Sequence, residues 1–274
     1  MDLSGKRTII TGGAMGIGFA TAKHLIKEKC TVTIWDINGK ELKRAKSELE
    51  SLGGKVFTHI CDVTDKEKVY DLAKKAKKEM GGTDILINNA GYVKGGELLD
   101  QTDEVWEKTI QVNLTSMLYT IRAVLPEMYE RNSGHIVNIS SASGFLGVAG
   151  LSVYAATKWA VWGLTESMRY EAWNNGKRGV RWTSIHPSYL AKGMFEGAKL
   201  GFLGNLIVPL VKSHDVIACA IVYGALKKGK YSVRRPRSLR LTIILRGILP
   251  DVWFQKLMIL MGVHRSMETW KGRA

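Results

Sequence analysis

Over its first 190 residues, this chain of 274 alternates short, β-rich apolar segments with longer amphipathic segments. The short segments are predicted strands, at residues 6–11, 31–36, 55–61, 84–88, 135–140 and 180–186. The longer segments are predicted helices, at residues 16–29, 39–52, 65–80, 105–131 and 152–175. Such alternation gives right-handed βαβ crossovers and a parallel sheet with helices on both faces. The sequence therefore predicts an α/β fold with a doubly wound parallel sheet.

The C-terminal third of the chain has a different character. Residues 189–211 are apolar and punctuated by glycine, and residues 213–228 form a predicted helix. Two further apolar segments, 239–249 and 252–263, are separated by Pro250, which would break a continuous helix. Because no repeat or break in composition marks a boundary, we expect one domain over residues 1–274. Residues 227–274 are expected to form its basic and apolar C-terminal extension, largely helical.

The composition, with 45% apolar and 24% charged residues, is that of a globular protein with a large core. No apolar run reaches the roughly 18 residues that a membrane span needs, and the N-terminus shows no signal-peptide segment. The three cysteines, Cys30, Cys61 and Cys219, are too scattered for a disulfide or zinc framework. We therefore expect a cytoplasmic protein without a metal site.

A glycine-rich segment, residues 11–18, lies where the first strand passes into the first helix. Glycine lets the backbone approach a pyrophosphate, and the N-terminus of the following helix offers free N–H donors. Gly12, Gly16 and Gly18 are therefore predicted to bind a dinucleotide, together with Ile17. The alternative is a glycine-rich turn that binds no ligand.

Asp36 ends the second strand, about 20 residues beyond these glycines. A carboxylate there accepts hydrogen bonds from the adenosine ribose hydroxyls and repels a 2′-phosphate, so NAD is predicted in preference to NADP. Lys40 and Lys43 are the nearest cations that argue for NADP. The alternative for Asp36 is a turn-forming residue before Asn38 and Gly39.

Tyr154 and Lys158 stand four residues apart, on one face of a predicted helix. A nearby cation stabilises a phenolate, so the tyrosine is predicted to act as a general acid and base with a lowered pKa. The same spacing occurs at Tyr70 and at Tyr223, so the spacing alone does not identify a site. Tyr154 differs because it follows a strand that ends in serines, and ligands bind beyond the carboxyl ends of parallel strands.

Several motifs occur in one order: the glycine segment, Asp62-Val63, Asn88-Asn89-Ala90-Gly91, Asn113, Ser141 and Tyr154-x-x-x-Lys158. Together they resemble the short-chain dehydrogenase/reductase family over residues 5–192. A weaker likeness points to its branch of retinol and hydroxysteroid dehydrogenases. The resemblance implies a Rossmann-type fold and hydride transfer between an alcohol or carbonyl compound and a nicotinamide cofactor. It also implies a homodimer or homotetramer that pairs helices 105–131 and 152–175, with Trp159 and Trp162 in the contact or packed internally.

The resemblance also implies roles for single residues. Tyr154 would be the acid/base and Ser141 would orient the substrate oxygen, although Ser143 could replace it. Lys158 would lower the tyrosine pKa and hold the nicotinamide ribose, and Asn113 would hold a water beside it or would simply kink its helix. The remaining predicted cofactor contacts are Asp62, Val63, Asn89, Ala90, Gly91, Pro187 and Leu190.

The chain departs from the family pattern after the sixth strand. Ser188 stands where the family has glycine, and Lys192 stands where it has a threonine that helps to hold the carboxamide. These departures leave open a protein that binds NAD without catalysis, docked on an anionic membrane.

Residues 189–211 would cover the substrate as a lid and contain few polar anchors. An apolar lid suits a lipophilic alcohol, ketone or aldehyde, such as a retinoid, a steroid or a long-chain alcohol. The alternative is that these residues belong to the core or to a subunit interface.

Basic residues are concentrated near the C-terminus of a chain whose net charge is +15. Residues 227–250 hold eight basic residues and no acidic one. Flanked by apolar segments, this stretch predicts peripheral contact with an anionic membrane, or else a solvated basic surface. No nucleic-acid-binding motif accompanies it, so we expect no nucleic acid partner.

Overall fold

A computed structural model describes residues 1–270 of the chain, and the last four residues of the predicted extension lie outside the described residues. Seven strands form one parallel sheet in the order β3-β2-β1-β4-β5-β6-β7. The strands are β1 (Arg7–Thr11), β2 (Thr31–Asp36), β3 (Lys55–Ile60), β4 (Ile85–Asn88), β5 (Gly134–Ile139), β6 (Val180–Pro187) and β7 (Ser232–Arg235). The predicted doubly wound parallel sheet is confirmed.

Ten α-helices connect the strands or follow them within the described residues. They are α1 (Gly16–Lys27), α2 (Gly39–Ser51), α3 (Lys66–Met80), α4 (Asp103–Ile110), α5 (Ser116–Glu130), α6 (Ser152–Asn174), α7 (Phe202–Ile207), α8 (His214–Cys219), α9 (Leu239–Ile248) and α10 (Asp251–Leu260). No described helix is both long and apolar enough to cross a membrane.

Two hydrophobic layers cover the sheet. Leu25 of α1, Leu42 of α2 and Ile217 of α8 pack on one face. Val69 of α3 and Val124 of α5 pack on the other face. With both faces covered, the strands can be almost wholly apolar, as the sequence predicted.

Local chemistry sets the ends of three helices, α1, α2 and α3. Asp65 caps α3 by accepting a hydrogen bond from the Lys68 amide at 3.0 Å, and Gly81 ends it with φ of +80°. Asn38 caps α2 through the Glu41 amide at 3.1 Å. Helix α1 ends before the predicted residue 29 because Lys29 has φ of +62°, which a helix cannot continue.

Several elements differ from the sequence prediction. The predicted helix 213–228 is α-helical only in α8 and continues as a π-helical segment, Ala220–Lys227. The predicted helix 105–131 is divided into α4 and α5 by a π-helical turn, Gln111–Thr115, which contains Asn113. Strand β7 was not predicted, because its sequence Ser-Val-Arg-Arg buries only Val233 and carries no apolar run. Pairing with β6 creates this strand, so the C-terminal region adds a strand to the sheet before its helices begin.

Asp84, directly before β4, ties three parts of the fold together. Its carboxylate accepts hydrogen bonds from the Arg7 side chain at 2.7 Å and from Arg131 at 3.1 Å. Burial alone would raise the pKa of this carboxyl, but the hydrogen bonds from Arg7 and the charges of Arg7 and Arg131 hold it below its ordinary value. The ion pairs therefore stabilise the junction between β1, β4 and the end of α5.

Asp84→Asn is expected to lower the free energy of unfolding by about 2 kcal/mol at neutral pH, because two arginines lose their shared carboxylate. Since the folded-state pKa is depressed, this stabilisation is present above the unfolded-state pKa and is lost as the pH falls through the folded-state value. The difference between wild type and variant should therefore shrink below about pH 4. Urea unfolding at several pH values measures it.

Asp71→Asn is the control, because Asp71 makes an ion pair with Lys74 on the exposed surface of α3. It should change stability by about 0.5 kcal/mol or less. Equal effects of the two substitutions would contradict a special role for Asp84.

Candidate active site

A cavity of about 770 Å³ opens beyond the carboxyl ends of the strands, where β1 and β4 are neighbours. The chain leaves these strands toward opposite edges of the sheet, and this reversal opens the crevice in which α/β proteins bind ligands. Most of the predicted site residues line the cavity: Gly12, Gly16, Ile17, Asp36, Asp62, Val63, Asn89, Ala90, Gly91, Ser141, Tyr154, Lys158, Pro187 and Leu190. Gly18 and Asn113 lie behind its wall.

The glycine segment forms a cradle that side chains would fill. Gly12 and Gly16 have φ of +59° and +57°, a conformation that side chains rarely adopt. A Cβ atom on Gly18 would lie 2.5 Å from the Gly12 carbonyl oxygen, so helix α1 packs against the loop only because residue 18 has no side chain. Helix α1 starts with neither a side-chain cap nor an acidic residue in its first turn. This arrangement fits the pyrophosphate of a dinucleotide.

Asn89 connects the cradle to the end of β4. Its amide nitrogen donates to the carbonyl oxygens of Thr11 at 3.0 Å and of Gly12 at 2.8 Å. The Thr11 hydroxyl accepts in return from the backbone amides of Asn89 and Ala90, both at 3.1 Å. These bonds hold the two loops at a fixed separation across the crevice.

Asp36 is buried at the end of β2, and its two oxygens have different partners. One oxygen accepts from the Ala14 amide in the glycine loop at 3.0 Å, and the other accepts from the Asn38 amide at 3.0 Å. The second contact is the turn that the sequence left as an alternative. Each oxygen keeps a further acceptor site, and Asp36 lines the cavity where a ribose would lie.

Asp62 and Val63 line the same end of the cavity, after β3. Asp62 accepts hydrogen bonds from the amide and hydroxyl of Thr64, at 2.9 and 2.7 Å, which fixes this loop. Lys40 and Lys43 are exposed on α2 and neither lines the described part of the cavity.

Tyr154, Lys158 and Ser141 meet at the middle of the cavity. Tyr154 and Lys158 lie on the inward face of α6, and the Lys158 ammonium is 5.5 Å from the centre of the tyrosine ring. The ammonium donates to the Ile139 carbonyl oxygen at 3.0 Å. Ser141 accepts a hydrogen bond from the Ser143 amide at 3.1 Å, which orients its hydroxyl beside the tyrosine. Neither Tyr70 nor Tyr223 lines this cavity.

The electrostatics of this group differ from the sequence prediction. Burial raises the pKa of the Tyr154 phenol above its ordinary value, and a hydrogen bond with Ser141 only partly opposes this rise. Burial also lowers the pKa of Lys158 to about 8. Burial thus outweighs the other influences on the Tyr154 pKa in the protein alone, and the role of Lys158 in lowering that pKa stays a prediction.

Asn113 is buried in the π-helical turn behind Lys158. Its oxygen accepts from the Tyr92 amide at 2.8 Å, and its nitrogen donates to the Tyr92 carbonyl oxygen at 2.9 Å and toward Thr157 at 3.3 Å. These bonds use the hydrogen-bonding atoms of the Asn113 side chain. They hold the loop after β4 against α6. Asn113 lies where the helix is interrupted, which agrees with the alternative that it kinks the helix. That it holds a water beside Lys158 stays a prediction.

The two departures from the family pattern lie at the mouth of the cavity. The Ser188 amide donates to the Arg235 carbonyl oxygen at 2.8 Å, which joins this loop to the end of β7. Lys192 is exposed and lines the cavity. A Cβ atom on the next residue, Gly193, would lie 3.0 Å from the His214 imidazole, so this loop lies against the start of α8.

Sequence reasoning missed several cavity residues. His214 follows no motif, yet a Cβ atom on Gly16 would lie 3.6 Å from its ring. Phe195 packs edge-on against Tyr154, with ring centres 5.5 Å apart. The far wall comes from α9 and α10 through Leu239, Thr242, Met258 and Met261. Phe195 lies within the predicted lid, 189–211, whereas packing of the C-terminal helices brings the other residues to the site.

Comparison with known proteins identifies the family. The short chain dehydrogenase family profile matches residues 6–200. Human epidermal retinol dehydrogenase 2 is 35% identical over 251 residues, covering 91% of this chain and 80% of that protein. Estradiol 17-beta-dehydrogenase 11 of Macaca fascicularis is 32% identical over 250 residues, covering 91% of this chain and 81% of that protein.

Solved structures show the same fold. A short chain dehydrogenase from Mycobacterium smegmatis is 30% identical and aligns with a TM-score of 0.72 over 85% of this chain and 92% of that one. A short chain dehydrogenase/reductase from Burkholderia phymatum, solved in complex with NAD, is 24% identical and aligns with a TM-score of 0.80 over 93% of this chain and 96% of that one. The chain belongs to the short-chain dehydrogenase/reductase family, in its retinol and hydroxysteroid dehydrogenase branch, and is a nicotinamide-dependent oxidoreductase.

Proposed function

We propose that the protein is an NAD-dependent dehydrogenase that interconverts a lipophilic alcohol and its ketone or aldehyde. The observation that carries the proposal is the position of Tyr154, Lys158 and Ser141 between a dinucleotide cradle and an apolar chamber. The cradle lies on one side of this group, and the chamber lies on the other side, beyond β5 and β6.

Each of the three residues has a defined part in the reaction. The Tyr154 hydroxyl takes the proton from the substrate alcohol, or returns it to the carbonyl oxygen, as general base or acid. Ser141 holds the same substrate oxygen by a hydrogen bond. Lys158 supplies positive charge beside the phenolate as it forms and holds the cofactor ribose. When bound, the nicotinamide accepts or donates the hydride.

The chamber favours a lipophilic substrate. Its buried wall is largely apolar and aromatic, and includes Leu146, Val148, Phe195, Val208, Met261 and Val263. We assign residues 189–211 as its lid, which a bridge between Leu190 and Val211 closes into a loop. The retinol and estradiol dehydrogenases among the relatives are named for lipophilic alcohols, which agrees with such a chamber. No observation favours the non-catalytic alternative.

The proposal includes a homo-oligomer in the cytoplasm, in contact with an anionic membrane. Tyr170 and Trp173 are more than half exposed on α6, one of the two helices expected to pair with a second copy. Trp162 instead packs internally against Phe145 and His186. Trp159 lies under the Arg246 guanidinium, at 4.9 Å from its ring centre.

Tyr154→Phe is expected to lower kcat by about a hundredfold or more, because general acid-base catalysis contributes about 10²–10⁴ to the rate. NADH affinity should change only a few-fold, since the ring remains in place. Steady-state kinetics with retinoid, steroid and long-chain alcohols, together with NADH fluorescence titration, measure both quantities. Tyr170→Phe, on the exposed side of the same helix, is the control and should leave both unchanged.

Lys158→Met is expected to abolish activity. It is also expected to remove a pH dependence of the free energy of unfolding. Burial lowers the folded-state pKa from 10.5 to about 8, so the unfolded chain binds more protons between these values and stability rises with pH there. From pH 8 to pH 10 the wild type should therefore gain about 2–3 kcal/mol relative to the variant. Urea unfolding across this range tests this, with Lys74→Met as an exposed control. Parallel profiles for wild type and Lys158→Met would contradict a charged, buried Lys158.

Asp36→Asn is expected to change cofactor choice. The wild type should bind NADH at least about tenfold more tightly than NADPH, because a buried carboxylate repels a 2′-phosphate. The variant should reduce this ratio at least several-fold. Asp62→Asn, which removes a carboxylate from the same cavity, is the control and should weaken both cofactors alike. Wild-type preference for NADPH would overturn the assignment of Asp36.

A further inference from the structure

An apolar face covers the outside of the substrate chamber. It is formed by Phe202 and Leu206 of α7, Ile244 and Ile248 of α9, and Trp253 and Leu260 of α10, each more than half exposed. Within each helix the two residues stand four or seven positions apart, so they share one side. Single exposed apolar residues are ordinary, but a contiguous set of this size marks an interaction surface.

The three helices that carry this face are joined to one another. The Gly201 amide, before α7, donates to the Met261 carbonyl oxygen after α10 at 3.1 Å. A Cβ atom on Gly204 would lie 2.2 Å from that same oxygen, so α7 rests directly on the end of α10. Arg246 of α9 lies over the ring of Phe254 of α10 at 5.2 Å. The apolar side chains therefore belong to one surface.

The opposite sides of two of these helices form the chamber. Leu239 and Thr242 of α9 are buried, and both line the cavity that holds Tyr154. Met258 of α10 and Met261 after it line the cavity as well. A single layer of helices, α9 and α10, therefore separates the substrate chamber from the apolar face.

Positive charge accompanies the apolar face. Arg237, Arg240, Arg246 and Lys256 are exposed on or beside α9 and α10. In the described part of the chain, none of these four makes an ion pair with a carboxylate. Helices α7 and α9 contain no acidic residue, and α10 contains only Asp251. Exposed cations beside exposed apolar side chains are complementary to a lipid surface, which has an apolar interior beneath anionic headgroups.

The fold divides the stretch 227–250, whose eight basic residues were predicted to contact a membrane. Strand β7 runs parallel to β6, so Lys228 and Lys230 lie at the amino edge of the sheet, away from the site. Lys227 is occupied there by an ion pair with Glu28 at 2.7 Å. Arg234 is half-buried over Trp162. Arg237, Arg240 and Arg246 lie beyond the carboxyl end of β7, on the side of the chamber.

We propose that this apolar face docks on an anionic lipid surface and that the lipophilic substrate enters the chamber from the lipid between α7, α9 and α10. A second copy of the chain fits the face less well, because it would bring the same unpaired cations against one another. An anionic bilayer neutralises the cations and buries the apolar side chains in its interface. The route of the substrate rests on the proposed dehydrogenase activity, whereas the docking gives the proposed membrane contact a defined surface and does not depend on catalysis.

Co-sedimentation of the purified full chain with lipid vesicles tests the docking. Binding is expected to vesicles of phosphatidylcholine mixed with phosphatidylglycerol, and to weaken with added salt and in phosphatidylcholine alone. The double variant Arg237→Glu with Arg240→Glu should lower the partition coefficient by about thirtyfold or more, since each basic residue near the surface contributes about a fivefold factor. Lys228→Glu with Lys230→Glu is the matched control at the opposite edge and should bind like the wild type.

Apolar contact is tested in the same assay by Phe202→Ser and by Trp253→Ser. Each should lower vesicle binding about tenfold. Leu52→Ser, an exposed leucine at the end of α2, is the control and should have no effect. None of these residues lines the cavity, so NADH titration of every variant should match the wild type and confirm its fold.

Three outcomes would overturn the docking proposal. They are wild-type binding that is indifferent to lipid charge, equal losses in the face and control variants, and a fall in oligomer mass for Phe202→Ser without a change in vesicle binding. The last result would assign the face to contact between copies. A chain that binds vesicles as expected but does not bind NADH would instead refute the proposed function and leave the docking intact.

Discussion

The reversal of chain direction between β1 and β4 is the constraint on which the rest of the structure depends. All strands run parallel, so their carboxyl ends meet at one edge, and the crevice between the two central strands is the one place where loops from both halves face each other. Asn89 spans this place through the carbonyls of Thr11 and Gly12. The glycine cradle, Asp36 and the catalytic group all derive their positions from that edge.

Burial of the proposed catalytic residues lowers the stability of the folded protein. Lys158 is buried on α6, where it donates a hydrogen bond to the Ile139 carbonyl oxygen, and its lowered pKa reflects the loss of solvation. Tyr154 is buried beside it, and its phenol is held in the protonated form. Both groups respond strongly to any charge that enters the cavity, because their burial weakens screening by solvent. A site that must form a phenolate only during turnover benefits from this arrangement.

The C-terminal helices serve two surfaces at once. The inner residues of α9 and α10 complete the chamber, and their outer residues form an apolar face bordered by unpaired cations. An amphipathic helix normally buries one side and exposes a polar one. Here the exposed side is itself largely apolar, which agrees with the proposal that a lipophilic substrate enters the chamber from a lipid surface.

Residue patterns alone predicted the first six strands, most of the helices between them and the position of the crevice, because these follow from local periodicity and from glycines at positions where side chains rarely fit. Tyr154, Lys158 and Asp36 could also be predicted, since each stands at a strand end or on one helix turn. Tertiary structure alone decided what lies far apart in sequence. It made a strand of Ser232–Arg235 through pairing with β6, brought Met258 and Leu239 over the site, and divided the basic stretch between two edges of the sheet. It also decided the pKa values of Tyr154 and Lys158, because burial depends on every element packed around a residue and not on its neighbours in the chain.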